Sequence, residues 1–259
     1  MVTALCQVLG SEKDLRKLTT GIIKTDQLLV ATILTTLEKT MIDKKFIRQY
    51  IANQEVLPKI DLVLSISEQR SRNILAINDW YKDLYINPNV DIVNSHPQVT
   101  QQVREELVDF LQLLLDNGTK TMLQVGLGHW ASTHFILSLL LDHMTTIEYD
   151  NEFIERYKPE MDPECETIIQ GDSTQVHTGI EQQFDAVFID GNHSYEYVKQ
   201  DLENYWHKVR DGGIIALHDV NFEGERYGSP RVLRESGYDW KFISYSKEVG
   251  IAYVIKGQE

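Results

Sequence analysis

The chain is poor in cysteine, with only Cys6 and Cys165 in 259 residues. Two thiols cannot build a disulfide scaffold, and no C-x-x-C pair is present to hold zinc or run dithiol chemistry. No apolar stretch approaches the ~18 residues needed to cross a bilayer. The opening MVTALCQVLG has no basic leader of the secretory kind. A soluble, cytoplasmic protein with no membrane partner is therefore expected. Cations are scarce too: 25 Lys and Arg stand against 39 Asp and Glu, a formal charge of −14. Phosphate recognition runs on clustered cations, so nucleic acid is not an expected partner.

That shortage is confined to one part of the chain. Residues 1–96 hold 12 basic and 11 acidic side chains, whereas 97–259 hold 13 and 28. The first part reads as helical. Val30, Ile33, Leu34, Leu37 and Met41 fall at helical spacing within 25–51, and no Pro or Gly interrupts them. A second helix is expected from Asp61, as N-cap just after Pro58, to Tyr85. Such stripes suit a core or an interface between two copies, so a homodimer through these helices is the expected assembly. Trp80, Tyr81 and Tyr85 make either a packed face or a lid. The turn-rich stretch 87–97 divides a helical region, 1–96, from a second domain, 97–259.

Beyond it the pattern turns to strand–helix alternation. Pro97 suits the first turn of a helix ending at Leu115, and Asn117-Gly118 supplies a left-handed stop. Five apolar runs of strand length follow, at 121–125, 144–149, 166–170, 184–189 and 213–217. Helical segments separate them at 132–141, 152–159, 174–182 and 194–209, and Ser229-Pro230 opens one more. This alternation predicts an α/β, Rossmann-like, doubly wound and mostly parallel sheet. Two last strands, 240–246 and 250–255, are joined by too few residues for a parallel crossover, so they must pair antiparallel.

Ligands of such sheets lie beyond the carboxyl ends of the strands. There, Gly126 and Gly128 allow a tight turn before a helix whose first residues include Ser132. Glu148, about 20 residues on, suits ribose hydroxyls, with Asp150 the better helix cap. Asp172 and Ser173 either meet an adenine or cap a helix. Asp190 and His193 follow the fourth strand, His218 and Asp219 the fifth. Two carboxylates and two imidazoles in one crevice supply either a general base or a divalent metal site. The polar loop 221–229, with Gly224 and Gly228, is either a closing flap or a plain connection.

Read in order, Leu123–Thr133, FDAVFIDGNHSYEYVKQDLENYW, RDGGIIALHDV and GIAYVIKG resemble the class I S-adenosylmethionine-dependent methyltransferases. The bacterial sugar and macrolide O-methyltransferases are the branch they are most similar to. The resemblance spans about 97–259, and 1–96 resemble no family. It implies S-adenosylmethionine as cofactor, bound by Gln124, Gly126, Gly128, Ser132, Glu148, Asp172, Ser173 and Asp190. It further implies a divalent metal, Mg²⁺ or another ion, at Asp190, His218 and Asp219. The expected reaction is methyl transfer to a hydroxyl of a small molecule, with His193 or His218 as base and Asp219 beside them. Three positions depart from the family pattern. Gln124 replaces an acid, the bulky Trp130 replaces a glycine and would narrow the cleft, and His218 replaces an acid, which suits Mg²⁺ less well. A non-catalytic cofactor-binding protein and a nicotinamide-dependent dehydrogenase are the rival expectations; Trp130 and the terminal hairpin speak against the second.

Overall fold

The computed structural model describes residues 44–52, 54–77, 102–222, 224, 226–245, 247 and 249–258. Expectations for residues 25–43 and for the 87–97 boundary lie outside them, as do Trp80, Tyr81 and Tyr85. The described residues fall into two compact units. Residues 61–77 belong to one; residues 44–60 and 102–258 belong to the other. Among the described residues, no helix is long and apolar enough to cross a membrane.

Helix α1 spans Lys44–Ile51 and α2 spans Val56–Ile77. The second starts five residues before the expected cap, so Asp61 lies inside it and Pro58 sits in its first turn. Proline is tolerated there because the first helical N–H groups have no intrahelical partner to lose. Helix α3, Arg104–Asp116, starts after an extended Val103, so Pro97 is not in its first turn. Its end is as expected: Gly118 takes a left-handed φ of +69°.

The sheet then builds in sequence: β1 (Thr121–Val125), α4 (Ser132–Leu140), β2 (His143–Glu148), α5 (Asn151–Tyr157), β3 (Glu166–Gln170), α6 (Ser173–Val176), β4 (Phe184–Ile189), α7 (Tyr195–Trp206) and β5 (Val209–His218). Helix α8 (Ser229–Ser236) precedes β6 (Lys241–Ile243) and β7 (Ile251–Ile255). The strand order is β3-β2-β1-β4-β5-β7-β6. The first five strands are parallel, and β7 pairs antiparallel with both β5 and β6. The expected fold is therefore the one observed.

Strands β5 and β6 differ most in length from expectation, for visible reasons. Strand β5 starts at Val209 because it pairs with Phe184 before an irregularity that ends at the Ala186–Ile214 pair. Gly212, at φ +74°, and Gly213 allow the detour; a Cβ on Gly213 would lie 2.7 Å from the Asp185 carbonyl oxygen. Strand β6 stops at Ile243 because the buried Glu106 takes the backbone beyond it. Its carboxylate accepts the N–H of Tyr245 at 2.7 Å and that of Gly250 at 3.1 Å. These bonds also tie α3 to the hairpin edge of the sheet.

The core lies between sheet and helices. Leu123, Val125, Val187, Ile189, Ile215 and Leu217 are buried on the strands against Val198, Leu202 and Tyr205 of α7. On α3, Phe110 packs on Phe188 of β4 with ring centroids 5.0 Å apart. A second, polar junction is buried at the β3 side. Glu166 accepts from Lys44 of α1, from His134 Nε2 at 2.8 Å and from the Tyr157 hydroxyl at 2.7 Å. His134 Nδ1 lies 2.7 Å from Thr146 Oγ1. Burial alone would raise the Glu166 pKa, but the bonds from His134 and Lys44 hold it at about 2.

Candidate active site

The strand order reverses direction between β1 and β4, which opens a crevice at their carboxyl ends. Gly126 follows β1 at φ +92°, and a Cβ there would stand 2.2 Å from the Asp190 carbonyl oxygen. Only glycine lets the two strand ends approach this closely. Gly128, at φ +71°, faces open space instead. The turn closes onto a left-handed Ala131, and Ser132 opens α4 directly behind it.

Glu148, at the end of β2, holds this turn in shape. Its Oε2 accepts the N–H of Leu127 at 2.8 Å and that of Gly128 at 3.3 Å, while Oε1 accepts the N–H of Asp150 at 2.8 Å. Asp150 caps α5 through the N–H of Glu152. The two acids thus divide the work that the sequence left open between them. Gln124 is buried, and its Nε2 donates to the Gly126 carbonyl at 2.6 Å. The Trp130 ring is buried with the Arg156 guanidinium 5.2 Å above it.

Asp172 caps α6, accepting from the backbone and hydroxyl of Thr174 at 2.9 and 2.7 Å, and from the Tyr197 hydroxyl at 3.3 Å. The Thr174 hydroxyl leads the effects that depress its pKa. The Ser173 carbonyl accepts from Tyr205. Beneath this turn lies Asp201 of α7, fully buried, with neither carboxyl oxygen partnered among the described residues. Burial pushes its pKa up to about 7, the neighbouring Ser173 opposing and the Asp172 charge assisting.

The four titratable residues after β4 and β5 form one cluster. His218 Nδ1 lies 3.1 Å from Asp190 Oδ1 and 3.1 Å from Asp219 Oδ1. His193 Nδ1 lies 3.0 Å from Asp219 Oδ2. Burial opposes charge on His218, but Asp190 and Asp219 outweigh it and push its pKa up to about 10. The same competition, with Asp219 as the main opponent of burial, raises the His193 pKa. Burial would raise the Asp219 pKa, yet both imidazoles hold it well below the carboxylate range. Asp219 occupies the left-handed region at φ +56°, which turns its carboxylate back between the two rings. The side chain of His193 is 37% exposed, that of His218 only 4%. Beside His193 stands Tyr227, its ring 5.3 Å away and stacked on Phe222 at 4.1 Å. The Gly228 N–H donates to the His193 carbonyl at 2.7 Å, which fastens the 221–228 connection to this loop.

Residues 110–220 match the family model of a methyltransferase domain. Over that stretch the chain resembles a methyltransferase domain. Among solved structures, the methyltransferase fold is shared with a proposed caffeoyl-CoA O-methyltransferase from Staphylococcus aureus. That protein is 21% identical, with a TM-score of 0.51 over 69% of this chain and 98% of the other. The cofactor-bound protein Rv0187 from MTB is 14% identical, with a TM-score of 0.51 over 70% of this chain and 96% of its own. The comparison with curated proteins finds no match.

At the carboxyl edge of the sheet, the ligand atoms of Asp190, His193 and Asp219 lie within 4.8 Å of one another, close enough to share a metal ion. The imidazole grouped with the two acids by this measure is His193, whereas the sequence pointed to His218. His218 Nδ1 is already shared between the two carboxylates. Two further side chains escaped the sequence reading: Gln102, whose Nε2 donates to Asp190 Oδ2 at 3.1 Å, and the buried Asp201. Gln102 precedes α3 in a segment without a motif, and Asp201 reads as one more polar residue of an amphipathic helix.

Proposed function

We propose that this protein transfers a methyl group from S-adenosylmethionine to a hydroxyl of a small molecule, with sugars and polyketides as the acceptor classes to try first. The observation that carries the reading is the pairing of His193 with Asp219 beside the Gly126–Asp190 junction. A glycine turn held by Glu148 suits the methionine and ribose parts of the cofactor, with Ser132 toward its carboxylate. Asp172 and Ser173 border the adenine. The sulfonium then lies near Asp190 and Gln124.

The sulfonium methyl is already activated, so the protein must align the acceptor for in-line displacement and take one proton from it. His193 is the better base of the two imidazoles. It reaches solvent, and Asp219 orients its Nδ1 so that Nε2 is left for the acceptor hydroxyl. His218, buried and held charged between two carboxylates, contributes fixed positive charge and keeps Asp190 and Asp219 apart. The donor set of Asp190, His193 and Asp219 also fits a divalent cation, which would supply Lewis-acid stabilisation of the acceptor oxygen when bound. Residues 1–96 are assigned to substrate selection and assembly, including a homodimer, and 97–259 to catalysis. A cytoplasmic location and the absence of a nucleic-acid partner belong to the same reading.

The test is calorimetry with S-adenosylhomocysteine and with NAD, followed by labelled methyl transfer to a hydroxyl panel. Binding of the first alone, with turnover lost in His193→Gln and in Asp219→Asn while S-adenosylhomocysteine affinity stays within a few-fold, is the expected result. Binding of NAD alone overturns the assignment. Cofactor binding without turnover on any acceptor favours a binding protein.

A further inference from the structure

Three observations meet at Asp190 and leave something unmatched. Gln102 is 5% exposed, and its Nε2 donates to Asp190 Oδ2 at 3.1 Å. Gln124 is 1% exposed, and its Nε2 donates to the Gly126 carbonyl at 2.6 Å. Gly126 in turn packs against the Asp190 backbone. In both glutamines the orientation of the amide is fixed by its partner, because a carboxylate and a carbonyl can only accept. Both Oε1 atoms are therefore acceptors, and neither has a hydrogen-bond partner among the described residues. Burying an amide oxygen without a donor is costly, so a donor is expected when the crevice is filled.

We propose that Gln102 is a cofactor-selecting residue, which accepts a hydrogen bond from the α-ammonium group of the cofactor's methionine moiety while it positions Asp190. The inference rests on the cofactor reading above and adds a residue outside the glycine turn. The chemistry of the group chooses the ligand part. Two neutral oxygens and one carboxylate along one run of contacts suit a cation with several N–H donors. An ammonium has three, whereas a hydroxyl has one. Gln102 would thereby share with Gln124 the task of a carboxylate at the end of β1, with less local negative charge beside Asp190.

Calorimetry on the full chain tests this with two probes, S-adenosylhomocysteine and its analogue lacking the α-amino group. Gln102→Met keeps the length of the side chain and removes both polar functions. The expected result is a loss of about tenfold or more in affinity for S-adenosylhomocysteine, with affinity for the desamino analogue changed less than twofold. Gln102→Asn keeps the amide but draws it back by one methylene, so it loses affinity for S-adenosylhomocysteine more than for the desamino analogue. Equal losses for both probes in Gln102→Met mean that Gln102 only supports the fold or a bound water, and overturn the inference. No loss for either probe overturns it as well. If Gln102→Met does not fold, the Gln102→Asn result decides: equal losses for both probes overturn the proposal. Failure of the unaltered protein to bind S-adenosylhomocysteine overturns the cofactor reading itself, and this inference with it.

Discussion

His193 Nδ1 lies 3.0 Å from Asp219 Oδ2, and the other oxygen of the same carboxylate lies 3.1 Å from His218 Nδ1. One side chain thus holds both an exposed and a buried imidazole. It does so from a backbone conformation that a β-strand would not give it, φ +56° at the first residue past β5. Asp219 is the pivot between a ring that reaches solvent and a ring buried in the core.

Replacing that pivot should therefore be visible on His193 without any acceptor. In Asp219→Asn the hydrogen bond and one of the two charges that raise the His193 pKa are lost, and only the Asp190 charge is left to oppose burial. The expected outcome is a fall in the His193 titration midpoint, read from imidazole NMR signals over pH 5–9. An unchanged midpoint would show that Asp219 does not control this ring.

His218 makes stability depend on pH in a predictable direction. Its folded pKa of about 10 exceeds its ordinary value of 6.5, so its charged interactions stabilise fully below 6.5 and fade as pH rises toward 10. His218→Gln should cost about 3 kcal/mol or more at pH 6, as for a broken buried charge pair. The difference from the unaltered protein should shrink steadily up to pH 10. Denaturant unfolding at four pH values measures both, and a constant difference would contradict the charged assignment.

Asp201 predicts the reverse use of an acid. Its folded pKa of about 7 lies above the ordinary 3.8, so the folded chain holds a proton that the unfolded chain has released between those values. Stability is lost as pH climbs through that window. Asp201→Asn cannot ionise, so it should gain about 1–3 kcal/mol over the unaltered protein at pH 8 and nearly nothing at pH 4. Urea midpoints at the two values decide it; an equal effect at both would place the change in packing instead.

Lys44 and Lys45 are neighbours with opposite expectations. Lys44 meets Glu166 where both side chains are essentially inaccessible, whereas the Lys45–Glu164 pair at 2.8 Å is 63% and 70% exposed. Lys44→Met leaves a buried carboxylate with one cation fewer and should cost about 3–5 kcal/mol. Lys45→Met should cost at most about 1 kcal/mol. Comparable losses would mean that α1 does not hold onto the sheet through this junction.

Much of the fold was legible because it follows from local periodicity and turn chemistry. The strands at 121–125, 166–170 and 184–189 have the expected limits, since buried parallel strands are continuous apolar runs bounded by turn residues. The short link before β7 forced an antiparallel pairing by chain length alone. The misplaced helix starts at Val56 and Arg104 come from proline, which marks a first turn only loosely. Where β6 ends could not be read, because Glu106, over 130 residues earlier in the chain, takes the N–H groups of Tyr245 and Gly250 beyond it.

By itself the sequence determined which groups reach the crevice. Strand ends face one side of a parallel sheet, so Glu148, Asp172, Asp190 and Asp219 had to gather at the carboxyl edge. Only the tertiary structure decided how they pair: that Glu148 bonds the glycine turn, that His218 lies between two acids, and that Gln102 arrives from outside the motifs to meet Asp190. Pairing depends on backbone angles such as that of Asp219 and on distances across strands, and neither is encoded in spacing along the chain.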